Sequence, residues 1–116
     1  RVSEEEHVVY AVVDFFEKIV EAGNRIQWFV PMAQQNQMEP LLVVLQPKEA
    51  LAEDKPHEGE EFGYVISGHI QLRLGDNVYV VKAGESFYFP ATKKHTIANT
   101  GAIRAKLTWV STPPTF

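Results

Sequence analysis

Cysteine is absent from the 116 residues of this chain, which excludes disulfide bonds, thiolate zinc sites and cysteine nucleophiles. Positive charge is scarce: 11 Lys and Arg stand against 15 Asp and Glu, so no basic nucleic-acid-binding surface is expected. The longest apolar run, Val8 to Val13, has six residues and is too short to cross a membrane as a helix. The start of the chain has neither the basic nor the apolar region of a signal peptide. We therefore expect a cytoplasmic protein that does not contact membranes.

The composition is that of one globular domain, with 45% hydrophobic and 22% charged residues. Residues 3–22 carry the spacing of an amphipathic helix. Its apolar stripe comprises Val9, Val12, Val13, Phe16, Ile19 and Val20. Ser3 and Glu6 have the spacing of a capping box, and Gly23 supplies a stop. Residues 1–24 are therefore predicted to form a linker helix that packs on the domain or on a partner, although the valines also tolerate a strand.

From Arg25 onward the apolar period changes to two, and turn residues recur at short intervals. The predicted strands are 25–30, 41–46, 61–67, 69–74, 77–81, 86–90, 94–99 and 103–110. Short strands with hairpin spacing, and no room for crossover helices, indicate an all-β sandwich or closed barrel over residues 25–116.

Two segments bring together residues that can bind metal or exchange protons. His57 and Glu61 are four apart, so a straight strand would separate them by about 13 Å, but Gly59 between them permits a sharp bend. His95 opens a later strand and can reach the same point from across a barrel. Two histidines and a carboxylate are a donor set for a divalent metal or an acid/base cluster. The plainer interpretation is that Glu61 and His95 hydrogen-bond each other inside the barrel.

The two segments resemble the two motifs of the cupin superfamily. The first motif is matched by His57, Glu61 and Gly68, while Lys55 stands where that motif has its first histidine. The second motif is matched by Gly84, Pro90, His95 and Asn99, with Thr92 in place of a glycine. The resemblance implies a double-stranded β-helix, a small jelly-roll barrel whose motif residues point into the barrel mouth.

The cupin resemblance also implies a site in that mouth. His57, Glu61 and His95 are the expected metal ligands, and three ligands suffice for zinc, nickel or iron with open positions. Tyr88, which lies between the second motif's glycine and histidine, is expected to join them in binding a small ligand. The alternative is that no metal binds, because Lys55 removes one ligand of the family's full set.

A narrower resemblance is to the C-terminal cupin sensor domain of bacterial helix-turn-helix transcriptional regulators, including the putrescine-responsive type. It rests on the stretches Gly59 to Val65 and Glu85 to Pro90 and on the terminal Thr112 to Phe116. It implies a homodimeric, non-enzymatic domain that binds a small effector and contacts DNA only through an N-terminal domain outside this sequence. The absence of an initiator methionine agrees with a C-terminal fragment of such a regulator.

The acidic stretch from Glu49 to Glu61 holds six carboxylates and one lysine. A solvated acidic loop explains this stretch. The more specific hypothesis is that its negative electrostatic field at the barrel mouth favours a cationic effector. Two other functions stay open: a stand-alone metal-dependent cupin enzyme, such as a dioxygenase or isomerase, and a structural dimerisation module with an empty barrel.

Overall fold

The computed structural model describes residues 8–31 and 35–114, which form two antiparallel β-sheets around one hydrophobic core. The strands are β1 Phe16–Ile19, β2 Arg25–Trp28, β3 Glu39–Leu45, β4 Glu60–Ser67, β5 His69–Leu74, β6 Asn77–Lys82, β7 Ser86–Pro90, β8 His95–Ala98 and β9 Ala105–Thr112. The larger sheet has the order β1-β2-β3-β9-β4-β7, and the smaller one has the order β6-β5-β8. The prediction of an all-β fold is confirmed.

Alternation along the strands explains how the sequence selects this arrangement. In β4, Glu61 and Val65 point into the barrel and are buried, whereas Phe62, Tyr64 and Ile66 are exposed. The same period of two buries Ile70 and Leu72 in β5. Each of the eight predicted strands is present, with bounds that differ by at most two residues.

The predicted N-terminal helix is wrong over the residues that the structure describes. Residues 8–22 hold a 3₁₀ turn at Val12–Asp14, the strand β1 and the start of a second 3₁₀ turn at Glu21–Gly23. Strand β1 pairs with β2, and the Phe16 ring lies 5.4 Å from that of Trp28. Pairing with β2 satisfies the backbone of this segment, whose single β-branched residue, Ile19, would lose side-chain freedom in a helix. The predicted capping box at Ser3 and Glu6 lies outside the described residues.

Residues 49–54 extend the smaller sheet beyond β8 without forming a regular strand. Isolated bridges join Ala50 to Ala98 and Asp54 to His95. The backbone N–H of Asp54 donates to the His95 carbonyl at 2.8 Å, and the reverse bond measures 3.1 Å. This segment therefore holds Asp54 at the start of β8, where the second cupin motif places its histidine. Within the described ranges, no helix has the length and apolar character needed to span a membrane.

Candidate metal and ligand site

The bend at Gly59 brings the two polar residues of the first motif together. Gly59 has φ +109°, and a β-carbon there would overlap the carbonyl oxygen of Thr112. Glycine is therefore required for this turn. Across the bend, His57 Nε2 lies 2.9 Å from Glu61 Oε2. The backbone N–H of His57 donates to the Ala91 carbonyl at 2.8 Å, which fixes the segment against the second motif.

His95 reaches the same carboxylate oxygen from the opposite sheet, as predicted. Its Nε2 lies 3.1 Å from Glu61 Oε2, and both side chains are fully buried. The ring of Phe89 packs 5.1 Å from the His95 ring, centroid to centroid. The side chain of His57 is 23% exposed, so the cluster has one partly open side.

Both imidazole rings are oriented by backbone carbonyls. His57 Nδ1 lies 2.7 Å from the Glu58 carbonyl, and His95 Nδ1 lies 2.9 Å from the Lys93 carbonyl. Because a carbonyl only accepts hydrogen bonds, each Nδ1 carries the proton. In the neutral imidazole, Nε2 then presents a lone pair to the Glu61 carboxylate. In this form Glu61 Oε2 and both Nε2 atoms are acceptors, so a metal ion placed between them would be bound by all three.

The spacing of the three atoms fits a metal ion. They all lie within 4.8 Å of one another. Ligands about 2.1 Å from a metal are separated by about 3.0 Å in an octahedron and about 3.4 Å in a tetrahedron, close to the two Nε2–Oε2 distances. Histidines whose other ring nitrogen donates to a carbonyl are also the usual metal-binding form. His57, Glu61 and His95 therefore form a three-residue cluster with the geometry of a metal site.

Trp109 holds the remaining oxygen of the glutamate. Its indole Nε1–H donates to Glu61 Oε1, deep in the barrel. Every buried side-chain nitrogen and oxygen in the described residues has a hydrogen-bond partner, so this carboxylate is fully accommodated. Trp109 thus leaves a single Glu61 oxygen facing the histidines.

A second carboxylate, that of Asp54, lies next to position 55, where this chain has lysine instead of the first histidine of the cupin motif. Asp54 Oδ2 lies 3.5 Å from His95 Nε2, and its side chain is 37% exposed. Burial raises the pKa of the Asp54 carboxyl, and the nearby His95 and His57 rings lower it in part. Lys55, the residue at the motif position itself, is exposed.

Two residues of the motif segments lie away from the cluster. Tyr88 is 59% exposed on the outer face of β7, and its hydroxyl donates to Glu60 at 2.6 Å. Asn99 is buried and donates to the carbonyls of Leu45 and Ile103, which ties the end of β8 to the neighbouring chain. The fold thus brings together His57, Glu61 and His95, but not Tyr88.

A cavity of about 300 Å³ adjoins the cluster. Asp54 and Trp109, which contact His95 and Glu61 respectively, both line it. Its other lining residues are Val20, Glu21, Asn24, Ile26, Ala50, Leu51, Ala52, Thr96 and Ile97. The walls are mostly apolar, and the ionisable lining groups are two carboxylates. This volume suits a small organic molecule.

The sequence profile of the Cupin_2 cupin domain matches residues 41–111. The chain belongs to this cupin family. The matched span runs from β3 to β9 and contains the whole His57, Glu61 and His95 cluster. The predicted cupin fold is confirmed.

Curated relatives of this cupin include a transcriptional regulator. The chain is 34% identical over 71 residues to the HTH-type transcriptional regulator PuuR of Escherichia coli, a match that covers 61% of the chain and 38% of PuuR. It is 30% identical over 66 residues to the protein SchB of Streptomyces halstedii, covering 57% of the chain and 48% of SchB. The chain thus spans less than half of either relative, and it is related to regulator cupin domains.

Solved cupins of different function share the fold. The Cupin_2 domain of an XRE family transcriptional regulator from Enterobacter cloacae superposes with a TM-score of 0.69 at 18% identity, covering 79% of this chain and 98% of that one. Hydroxypropylphosphonic acid epoxidase from S. wedmorenis gives 0.75 at 22% identity, covering 90% of this chain and 58% of that one. Regulators and an enzyme therefore share this architecture.

Sequence reasoning missed two residues that contact the cluster. Asp54 precedes the motif position, and its only signal was the unusual Lys55 beside it. Trp109 belongs to neither motif, and aromatic side chains in strands are usually plain core residues. It is buried, yet its indole nitrogen also positions Glu61.

Proposed function

We propose that this chain is the effector-sensing domain of a helix-turn-helix transcriptional regulator. In this proposal residues 25–116 form the sensor, residues 1–24 form a linker, and a DNA-binding domain precedes them outside this sequence. A small molecule in the cavity beside the cluster alters DNA binding by that domain. The single observation that carries the proposal is that Val20, Glu21 and Asn24 line the cavity.

The linker residues are well placed to respond to an occupant. Asn24 is buried, and its side-chain oxygen accepts a hydrogen bond from the Gln46 backbone at 2.8 Å. The Val20 N–H donates to the Asn24 carbonyl at 2.8 Å, which closes a tight turn between β1 and β2. An occupant that contacts this turn favours one of its arrangements over another. Such differential contact is the requirement for a ligand to shift a conformational equilibrium.

The charge of the cavity favours a cationic effector. Glu21 and Asp54 line it, and its remaining lining residues carry no positive charge. The apolar part comes from Ile26, Leu51 and Ile97. A small amine with a short apolar body satisfies both features, since its charge meets a carboxylate and its hydrocarbon part leaves water. The similarity to PuuR supports the regulatory context.

We further propose that His57, Glu61 and His95 hold a divalent cation such as zinc, nickel or iron beside the effector. When bound, the ion supplies a Lewis-acid centre with open positions. The protein's part is to orient both imidazoles through backbone carbonyls and to exclude water from Glu61 with the Trp109 indole. His57 closes the exposed side of the cluster.

The sensor is proposed to act as a homodimer. Support comes from the outer face of the larger sheet, where Phe62, Tyr64 and Tyr88 are each more than 40% exposed. Phe62 and Tyr88 are direct partners across β4 and β7, so they form one continuous patch. Exposed apolar patches often mark protein interfaces. Sedimentation analysis of the wild-type chain and of Phe62→Lys tests the dimer, which the variant is expected to weaken.

The main test compares Glu21→Gln, which removes one of the two carboxylates that line the cavity, with the control Glu60→Gln, whose side chain faces outward. Small amines are screened by thermal shift on the wild type, and the best binder is titrated calorimetrically into each protein. The same variants in the full-length regulator are assayed for DNA binding with and without that amine. We expect Glu21→Gln to weaken both responses and Glu60→Gln to keep them, because only the former removes negative charge from the cavity wall. Unchanged amine affinity and DNA response in Glu21→Gln would show that the effector site is wrongly assigned.

A second candidate function, a metal-dependent enzyme, is favoured by the three-donor cluster, because three protein ligands leave positions open for a substrate. The native gene separates the two candidates. A reading frame that continues upstream into a helix-turn-helix pattern supports the sensor, and a start codon just before Arg1 supports the enzyme.

A further inference from the structure

Asp54 contacts the cluster although the cupin motif assigns no role to this position. Its Oδ2 lies 3.5 Å from His95 Nε2, close to the separation of two ligands on a tetrahedral metal ion. Two backbone hydrogen bonds to His95 fix the distance between the two residues. The carboxylate thus approaches the histidine nitrogen that faces Glu61. It lies outside the group of three donors whose atoms are all within 4.8 Å of one another, so its partly exposed side chain has to turn toward the cluster when a cation binds.

The chain geometry explains why Asp54 faces the cluster and Lys55 does not. Lys55 precedes Pro56, and a residue before proline is held in an extended conformation. Asp54 is bridged to His95, whereas Lys55 is exposed. The substitution of lysine for the motif histidine therefore removes one donor, and the adjacent residue presents another.

The charge balance favours a second carboxylate at this place. With two neutral imidazoles and Glu61 alone, a bound dication leaves a net charge of +1 in a largely buried site. Addition of Asp54 brings that sum to zero. Buried charge is costly unless it is paired, so a neutral set binds a dication more tightly.

We propose that Asp54 is the fourth protein donor of the cation site and takes the place of the missing motif histidine. This inference rests on the cation site proposed at His57, Glu61 and His95. It does not depend on the identity of the effector.

The test measures the affinity of chelator-treated, tag-free protein for Zn²⁺ by calorimetry, and the visible spectrum of bound Co²⁺. The variants are Asp54→Asn and the matched control Glu53→Gln, an exposed neighbouring carboxylate. We expect Asp54→Asn to weaken Zn²⁺ binding by at least about tenfold, or about 1.4 kcal/mol, and Glu53→Gln to stay within about twofold. The Co²⁺ spectrum is expected to change in Asp54→Asn alone, because a ligand is replaced. Thermal unfolding without metal verifies that each variant folds.

Two results would overturn the assignment while leaving the metal site in place. One is Zn²⁺ affinity of Asp54→Asn within about twofold of the wild type. The other is weaker binding with an unchanged Co²⁺ spectrum, which would mean that Asp54 acts by its charge only. Failure of the wild type to bind Zn²⁺ or Co²⁺ would also overturn it, yet amine sensing in the cavity would stand. Recovery of full affinity in the double variant Asp54→Asn with Lys55→His would support the assignment, because a histidine at the motif position would then supply the donor that Asp54 provides in the wild type.

Discussion

Replacement of Glu61 by glutamine separates the structural role of this residue from its proposed role as a metal ligand. Glutamine has nearly the volume of glutamate and keeps an oxygen that accepts the Trp109 indole hydrogen bond. Its amide group carries two hydrogens. Those hydrogens face His57 Nε2 and His95 Nε2, which lie 2.9 and 3.1 Å from the corresponding glutamate oxygen.

The expected change in stability follows from the imidazole tautomers that the backbone carbonyls impose. With the proton of each ring on Nδ1, both Nε2 atoms are acceptors, and the glutamine amide donates one hydrogen bond to each. Two such bonds contribute about 1–3 kcal/mol in total. For a domain of this size, each kcal/mol corresponds to about 4 °C in Tm. We expect metal-free Glu61→Gln to unfold about 4–12 °C above the metal-free wild type at about pH 8, where free imidazole is neutral.

The assay is thermal unfolding with a strong chelator, followed by the same measurement with added Zn²⁺. The wild type is expected to gain stability from Zn²⁺, because the ion binds the native state, and Glu61→Gln is expected to gain little. A large loss of stability in metal-free Glu61→Gln would refute this reasoning. It would mean that both rings are doubly protonated and form charge-assisted hydrogen bonds to the carboxylate.

Three further outcomes are expected. Trp109→Phe should cost about 2–3 kcal/mol in chemical denaturation, because a buried carboxylate oxygen loses its donor; a cost below about 0.5 kcal/mol would contradict this role. Gly63→Ala should cost about 1–3 kcal/mol, since its β-carbon would overlap the Phe87 ring, and Phe87→Leu in the same chain should recover part of it. The hydrogen bond to Glu60 raises the pKa of Tyr88 above its ordinary value of 10.0. This hydrogen bond therefore stabilises the fold below pH 10.0, and its contribution is lost as the pH rises through the pKa of Tyr88 in the folded protein. The titration of Tyr88 is measured by tyrosinate absorbance, as the difference from Tyr88→Phe. It should move to lower pH in Glu60→Gln, and an unchanged titration would contradict the pairing of Tyr88 with Glu60.

The barrel could be predicted from sequence because its signals are local. Alternation in β5 and glycine turns between strands define most of the elements, and the spacing of His57, Glu61 and His95 matched the cupin motifs. The bend at Gly59 was also expected, because glycine permits a sharp turn between His57 and Glu61. Periodicity and turn chemistry were sufficient for these features.

The N-terminal helix was mispredicted because its spacing fitted a helix while its composition fitted a strand. Phe16 and Ile19 lie in β1, whose stability depends on pairing with β2, a contact that no local pattern contains. Asp54 was missed for a similar reason: its place beside His95 depends on a bridge between residues 41 positions apart. Tyr88 was assigned to the ligand site from its neighbours in the motif, but the period of two in β7 turns it outward.

Elemental analysis of protein purified without an affinity tag or chelator tests most directly whether the cluster of His57, Glu61 and His95 is a metal centre. The wild type is expected to carry about one zinc, nickel or iron ion per chain, and His95→Ala is expected to lose it, since one of three strong donors is removed. Absence of these metals from the wild type, together with no thermal stabilisation by any of the three ions, would contradict the metal centre. Equal metal content in the wild type and His95→Ala would contradict its location.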